Sequence, residues 1–296
     1  MRIAITGGTG FVGRHLAERL QGDGHEAVIV SRRTGVDIDD TEALATAFAG
    51  CDAVAHCAGI NREIGEQTFE RVHVRGTQAV VDAARRAGVG RLVLVSFLRA
   101  RPDCGSGYHE TKWAAEELVR GSGIPHTVLK FGMIYGAGDH MIDHVTKAVR
   151  TFPVFATVGY RERLVRPVPV ADAVDVLLAA LEGRVTEPTV AVMGAETLPL
   201  GTAVRRIARV AGRRPLYVPV PVWTIRLLAR LTERLMVTPL VAKAQAQMLA
   251  EGVDAAAPPT PELPEALRPQ RRFDEARIRA ALPAGRFTLA DLRRFA

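Results

Sequence analysis

Short runs of apolar, β-prone residues alternate along the first half of the chain with stretches whose apolar positions recur every three to four residues. Residues 1–5, 27–30, 53–56 and 91–96 belong to the first kind. Val12, Leu16, Ala17 and Leu20, followed by the stretches 41–48 and 77–87, belong to the second. Such alternation predicts strand–helix–strand units and therefore a parallel sheet. Gly88-Val89-Gly90 closes one helical stretch just ahead of the apolar residues 92–95, as glycine does past a helix C-terminus. A further strand is expected at 127–131, and another at 165–170 leading into a helix over 171–181 with Asp172 on its N-terminal side. Beyond about residue 195 the pattern changes to helices broken by prolines, at 201–211, 222–236 and 241–249, followed by a proline-rich link at 257–264. The predicted architecture is α/β: a Rossmann-type doubly wound parallel sheet with a smaller, mostly helical C-terminal lobe. Residues 1–134 with about 165–194 are assigned to the sheet domain, and about 135–164 with 195–296 to the lobe.

The segment Thr6-Gly7-Gly8-Thr9-Gly10-Phe11-Val12-Gly13 lies where the first strand gives way to the first helix. In that position Gly7 permits a tight turn, Gly10 removes a side chain that would block a pyrophosphate, and Gly13 lets the helix approach the strand. The exposed N–H groups and the positive end of the helix then favour phosphate. Thr6, Gly7, Gly10, Phe11, Val12 and Gly13 are accordingly expected to hold a dinucleotide. At the end of the second strand a carboxylate suits the ribose hydroxyl of NAD, whereas cations suit the 2′-phosphate of NADP. The chain has Ser31-Arg32-Arg33 there. Arg32 offers a planar fork and a stacking face, with Ser31 or Arg33 adding a hydrogen bond, so NADP(H) is expected over NAD(H).

Composition narrows the picture further. At 296 residues and 48% hydrophobic, the chain has ample material for a large core. A formal charge of +7 would suit an anionic partner, but the arginines are dispersed and only 5% of residues are aromatic, which argues against nucleic acid. Cys51, Cys57 and Cys104 are odd in number and lack metal-binding spacing, so no metal is expected and a reduced, cytoplasmic setting follows. The apolar N-terminus is used by the first strand and lacks a signal-peptide cleavage pattern, and no run reaches the roughly 20 apolar residues that span a bilayer.

Tyr108-His109-Glu110-Thr111-Lys112 puts a phenol and an ammonium four residues apart, on one helix face. A nearby cation favours phenolate and is expected to bring Tyr108 toward the working range of an acid–base catalyst. With the glycine turn, these residues resemble the short-chain dehydrogenase/reductase superfamily in its extended or atypical branch. The resemblance runs through Asp52-Ala53-Val54-Ala55-His56-Cys57-Ala58-Gly59, Gly76-Thr77, the strand ending in Ser96, Tyr108 with Lys112, residues 131–139 and Pro169-Val170-Ala171-Asp172. It implies that Tyr108 is the general acid/base, Lys112 its ribose-binding partner and Ser96 the hydroxyl that orients a substrate carbonyl. It also implies Cys57, Ala58 and Gly59 beside the cofactor, and Asp37 and Ile38 at the adenine ring.

Three departures from that pattern matter. Phe97 follows Ser96 where many extended members carry further hydroxyls, and the segment before Tyr108 is short, which argues against a sugar-nucleotide epimerase. His73 stands where many relatives carry Asn and reads as a helix-packing residue, with proton relay as the alternative. Lys130 stands where many carry Arg. The short loop and the lobe look most like the atypical group related to the Rossmann-type accessory subunit of respiratory complex I, in which cofactor binding can outlast catalysis. Two functions are therefore expected: an NADP(H)-dependent oxidoreductase moving a hydride to or from a carbonyl or alcohol of a small apolar substrate, or a catalytically silent NAD(P)H-binding assembly or sensor subunit. Residues 222–236 place Leu227, Leu228, Leu231 and Leu235 along one helix face, apart from Arg226, Arg230, Glu233 and Arg234. Such a helix either packs within the lobe or rests peripherally on an anionic membrane surface. Homo-oligomerisation through helices is left open.

Overall fold

The computed structural model describes residues 1–159, 162–235, 247–248 and 251–288. The chain forms two compact units. Unit 1 comprises Met1–Gly132, Val170–Met193 and Ala255–Gln270; unit 2 comprises Met133–Pro169, Gly194–Asp254 and Arg271–Ala296. Unit 1 holds β1 (Arg2–Thr6), α1 (Phe11–Gly22), β2 (Glu26–Val30), α2 (Thr41–Phe48), β3 (Ala53–His56), α3 (Gly76–Arg86), β4 (Arg91–Phe97), α4 (Gly107–Arg120) and β5 (His126–Phe131). Unit 2 holds β6 (Ile134–Tyr135), α5 (His140–Thr151), β7 (Val154–Val158), β8 (Leu164–Val165) and β9 (Val168–Pro169). The chain then returns to unit 1 for α6 (Val170–Leu181) and β10 (Thr189–Val192). It ends in unit 2 with β11 (Leu198–Pro199), α7 (Leu200–Val210), β12 (Leu216–Val220), α8 (Val222–Leu235) and α9 (Glu275–Ala281).

The sheet of unit 1 is parallel throughout, in the order β10-β5-β4-β3-β1-β2. Strands of a parallel sheet are covered on both faces, which explains why Ile3, Ala4 and Ile5 and all of β3 are buried. On one face Ala4, Val54, Leu92 and Leu94 pack with Leu44 of α2, Val80 of α3 and Val119 of α4. The strand order reverses between β1 and β3, where Thr6 and His56 stand side by side at the strands' C-terminal ends. Sheets of this kind bind ligands at that switch point.

β10, four residues long, is the edge strand of the sheet, and the segment 165–170 that leads into α6 does not join it. Pro167 and Pro169 break that segment into β8 and β9, and proline cannot serve in an inner strand. β8 pairs with β11, and β9 with β6, inside unit 2. Residues 255–270 also belong to unit 1 rather than to the lobe. Ala191 of β10 donates its N–H to the Pro261 carbonyl at 2.7 Å, and Ala257 donates to Leu98 at 3.2 Å. This proline-rich strap occupies the sheet edge without offering a new row of donors.

The lobe is mostly helical, as expected, and among the described residues its helices alternate with three two-stranded sheets, of which β7–β12 is the longest. Its core gathers Tyr135, Ile142, Val165, Leu198, Ile207, Phe273 and Ile278. Asp139 starts α5 by accepting N–H bonds from Gly136, Met141 and Ile142 at 3.0, 2.6 and 2.9 Å. In α8 the buried residues are Ile225, Ala229 and Thr232, with Val220 packed against the first two. Of the leucines of this helix, Leu227 and Leu231 are exposed and Leu228 is half-buried, while the side chain of Leu235 lies outside the described residues. Met236 and most of the expected helix 241–249 lie outside the described residues.

Candidate dinucleotide and catalytic site

The glycine turn of unit 1 has room for backbone and little else. Gly7 sits at φ +67°, and a Cβ there would lie 2.7 Å from Ala58 Cα, so the turn is pressed against the end of β3. A Cβ on Gly13 would overlap the Gly7 carbonyl oxygen, whereas one on Gly10 would meet only that oxygen, at 3.0 Å. Gly10 is the N-cap of α1 without a side-chain hydrogen bond, and the first turn holds no acidic residue. The first N–H groups of the helix, including those of Phe11, Val12 and Gly13, are thus neither capped nor neutralised by a side chain. These features fit a dinucleotide pyrophosphate.

The side chain of Thr6 is engaged within the fold. Its buried hydroxyl pairs with His56 Nδ1 at 2.6 Å, and His56 Nε2 pairs with Thr77 Oγ1 at 2.9 Å, which ties β1, β3 and α3 together. Burial lowers His56 to about 3, so the imidazole is neutral. Cys57 is kept a thiol, pushed up to about 12 by burial. Gly59 lies beside Lys112 of α4: a Cβ there would lie 3.0 Å from Lys112 Nζ.

After β2 the chain forms a 3₁₀ turn at Arg32–Thr34, in which Ser31 donates its N–H to Thr34 Oγ1 at 3.0 Å. Arg32 and Arg33 are exposed, and among the described residues neither has an ion-pair partner. Asp37 accepts from Arg71 Nη2 at 3.0 Å and from Ile38 N–H at 2.7 Å. Asp39 accepts from Arg71 Nε at 2.9 Å, and that bond holds its carboxyl below the usual range. Arg71 thereby fixes the loop that carries Asp37 and the half-buried Ile38.

Tyr108 and Lys112 share one face of α4, as expected, but their electrostatics differ from the expectation. Burial drives the Tyr108 phenol well above its ordinary range. Its ring is packed edge-on against Phe69, His73, Phe97 and His109 at centroid distances of 5.6, 5.7, 5.3 and 5.8 Å. Lys112 donates to the Val95 carbonyl at 3.2 Å and is lowered to about 8 by burial, against the opposing pull of Glu116 and Cys57. Tyr108 is therefore a protonated phenol, and Lys112 titrates near the working range. His73 accepts the Ile60 N–H at Nε2, 3.2 Å away, which places its proton on Nδ1 facing Thr111 Oγ1 at 3.0 Å. Burial holds it neutral, and its ring stacks on Phe69.

Ser96 is not brought to Tyr108 by any bond among the described residues. Its hydroxyl donates to Glu116 Oε1 at 2.5 Å. Glu116 is fully buried and also accepts from Lys130 Nζ at 3.0 Å and Arg120 Nη2 at 2.7 Å, while both cations lie over the Trp113 ring. Sequence reasoning passed over Glu116. The available signal was spacing: Tyr108, Lys112, Glu116 and Arg120 recur every four residues and line one side of the helix.

A parallel sheet with a glycine turn after β1 and a Tyr-x-x-x-Lys helix after β4 defines the extended short-chain dehydrogenase/reductase class. Residues 3–194 match the model of the NAD dependent epimerase/dehydratase family, and the chain belongs to that family. Among curated proteins it is 32% identical over 191 residues to a ceramide reductase of Caulobacter vibrioides, 60% of each chain being covered. It is 30% identical over 188 residues to a 4-hydroxy-2-methyl-3-oxo-4-farnesyl-3,4-dihydroquinoline-1-oxide ketoreductase of Stigmatella aurantiaca, covering 51% of this chain and 56% of that one. The chain thus spans less than two thirds of either reductase. Among solved structures, MoeE5 in complex with UDP-glucuronic acid and NAD superposes with a TM-score of 0.63 at 25% identity, over 75% of this chain and 86% of that one.

Proposed function

We propose that the protein is an NADP(H)-dependent oxidoreductase that reduces a carbonyl on a substrate with a large apolar part. The observation that carries the reading is geometric: Tyr108 is a half-buried phenol on the same face of α4 as Lys112. A protonated phenol is equipped to donate to an oxygen that gains negative charge, which is the need of carbonyl reduction. Bound NADPH supplies the hydride. The glycine turn holds the pyrophosphate, Arg32 and Arg33 take the 2′-phosphate, and Lys112 beside Gly59 keeps a cation next to the nicotinamide ribose. Ser96 acts from behind: through Glu116 it fixes the end of β4, whose Phe97 supports the Tyr108 ring. The names of the two reductase relatives agree with the direction of the reaction, and "ceramide" and "farnesyl" both denote apolar chains. Reduced cysteines and a supply of NADPH suit a cytoplasmic setting.

The test is carbonyl-dependent NADPH oxidation with a panel of long-chain ketones. Tyr108→Phe should retain NADPH affinity and lose about 10²- to 10⁴-fold in rate. An unmodified protein that binds NADPH yet turns over none of the panel would instead establish a cofactor-binding subunit. The engagement of Ser96 by Glu116 and the phenyl ring at Phe97 favour that second reading.

A further inference from the structure

The surface of unit 2 holds an apolar row that its own core does not use. On α8, Trp223, Leu227 and Leu231 are 66%, 48% and 48% exposed, while Ile225, Ala229 and Thr232 on the opposite side are buried. The spacing of four aligns the three exposed side chains along one face. The strand that leads into this helix repeats the pattern, with Leu216 and Val218 exposed and Val154 exposed directly across from Leu216 on β7. Arg213 and Arg214, exposed and without an ion-pair partner among the described residues, immediately precede that strand. Between Glu196 and Glu233 the sequence carries seven arginines and no carboxylate.

We propose that this surface docks on an anionic lipid bilayer, with Trp223, Leu227 and Leu231 entering the headgroup boundary and the surrounding arginines meeting lipid phosphates. Charge decides the occupant. Arg205, Arg206 and Arg209 pair with Glu162, Glu196 and Glu275, whereas Arg213 and Arg214 are exposed and unpaired among the described residues; an apolar face flanked by such cations repels a second copy of itself and is attracted to a negative surface, where each contributes about five-fold to partitioning. Tryptophan is suited to that boundary because its ring is apolar and its N–H finds a partner among headgroups. This docking is independent of the proposed reaction and stands if the protein binds NADPH without turnover.

The experiment is flotation with phosphatidylglycerol-containing vesicles and with phosphatidylcholine vesicles, together with emission from Trp223. The chain has two tryptophans, and the other, Trp113, is held beneath Arg120 and Lys130. The unmodified protein should float with anionic vesicles, release at high salt, and show a blue shift that vanishes in Trp223→Phe. Leu227→Ser with Leu231→Ser, and separately Arg213→Ala with Arg214→Ala, should each weaken binding by about ten-fold or more while leaving NADPH affinity unchanged. An unchanged circular dichroism spectrum and thermal unfolding midpoint show that the variants, unit 2 included, are folded. Absence of flotation with anionic vesicles, equal binding to phosphatidylcholine, or unaltered binding by the leucine variant would overturn the proposal. So would a dimer that the leucine variant converts to a monomer without any vesicle binding.

Discussion

The two units place their apolar residues differently. Among the described residues, the exposed large hydrophobics of unit 1 are Met1 and Ile64, whereas unit 2 exposes Phe152, Val154, Leu164, Leu216, Val218, Trp223, Leu227 and Leu231. Unit 1 has a six-stranded sheet that takes side chains on both faces, so its hydrophobic material is enclosed. Unit 2 is assembled from two-stranded sheets and helices, and a two-stranded sheet has too little area to bury both of its faces. The lesson is that a wide sheet encloses its apolar side chains, whereas narrow sheets and helices leave some of theirs on the surface.

Four measurements break or sharpen this contrast. The largest effect is expected from Gly7→Val, which forces a branched side chain into a position of φ +67° with Ala58 Cα 2.7 Å from its Cβ. NADPH binding by fluorescence titration should weaken by at least ~100-fold, with a stability loss of about 1–3 kcal/mol. An unchanged dissociation constant would remove the glycine turn from the cofactor site.

Next in size is Arg32→Ala with Arg33→Ala. Loss of charge-assisted bonds should weaken NADPH about 10- to 100-fold and leave NADH within about two-fold. Equal losses for both cofactors would show that the arginines are surface residues of the 3₁₀ turn.

The third concerns pH. With Lys112 lowered to about 8 and Tyr108 raised by burial, kcat/KM for reduction should fall above pH 8 as Lys112 loses its proton, by about ten-fold per unit. Stability should move the other way. The unfolded chain holds its Lys112 proton up to about 10.5 while the folded chain releases it near 8, so the unfolded state binds more protons in that window and stability rises with pH. Chemical denaturation at pH 8 and pH 10, read against Lys112→Met, isolates this contribution. A parallel decline of stability and activity would contradict it.

The smallest effect falls in unit 2. Asp139→Ala removes the acceptor for three N–H groups at the start of α5 and should cost about 1–2 kcal/mol in thermal unfolding. NADPH affinity should remain within about two-fold, and a larger change would mean that the cofactor site depends on unit 2.

What was readable before the structure follows the same boundary. β1, the glycine turn and α1 announce themselves because strand period, turn residues and helix period meet within about twenty positions, and each supports the others. The Tyr108–Lys112 pair was readable for a similar reason, since a spacing of four is a local property of a helix. The partners of these residues were not local. Thr6 lies fifty positions from His56, and Ser96 twenty from Glu116, and in each case the hydroxyl is bound to a partner that no local pattern reveals. The same distance hid β10 and its cover, because a four-residue strand and a proline-rich tail become one feature only when the sheet brings Ala191 to Pro261. In unit 2 the period of the α8 leucines was readable but the exposure of Leu227 and Leu231 was not, since periodicity reveals that a face is apolar without revealing what lies against it.

The strap over β10 gives the chain an order of assembly. When β10 has left the ribosome, its outer row of donors and acceptors stands bare until the segment around Pro261, some seventy residues later, has been made. Throughout that interval the nascent nucleotide-binding unit presents an open edge to any other strand in its surroundings, the kind of template on which chains associate wrongly. A ribosome paused within the lobe would therefore hold out a nearly finished Rossmann unit that is still unprotected on one side.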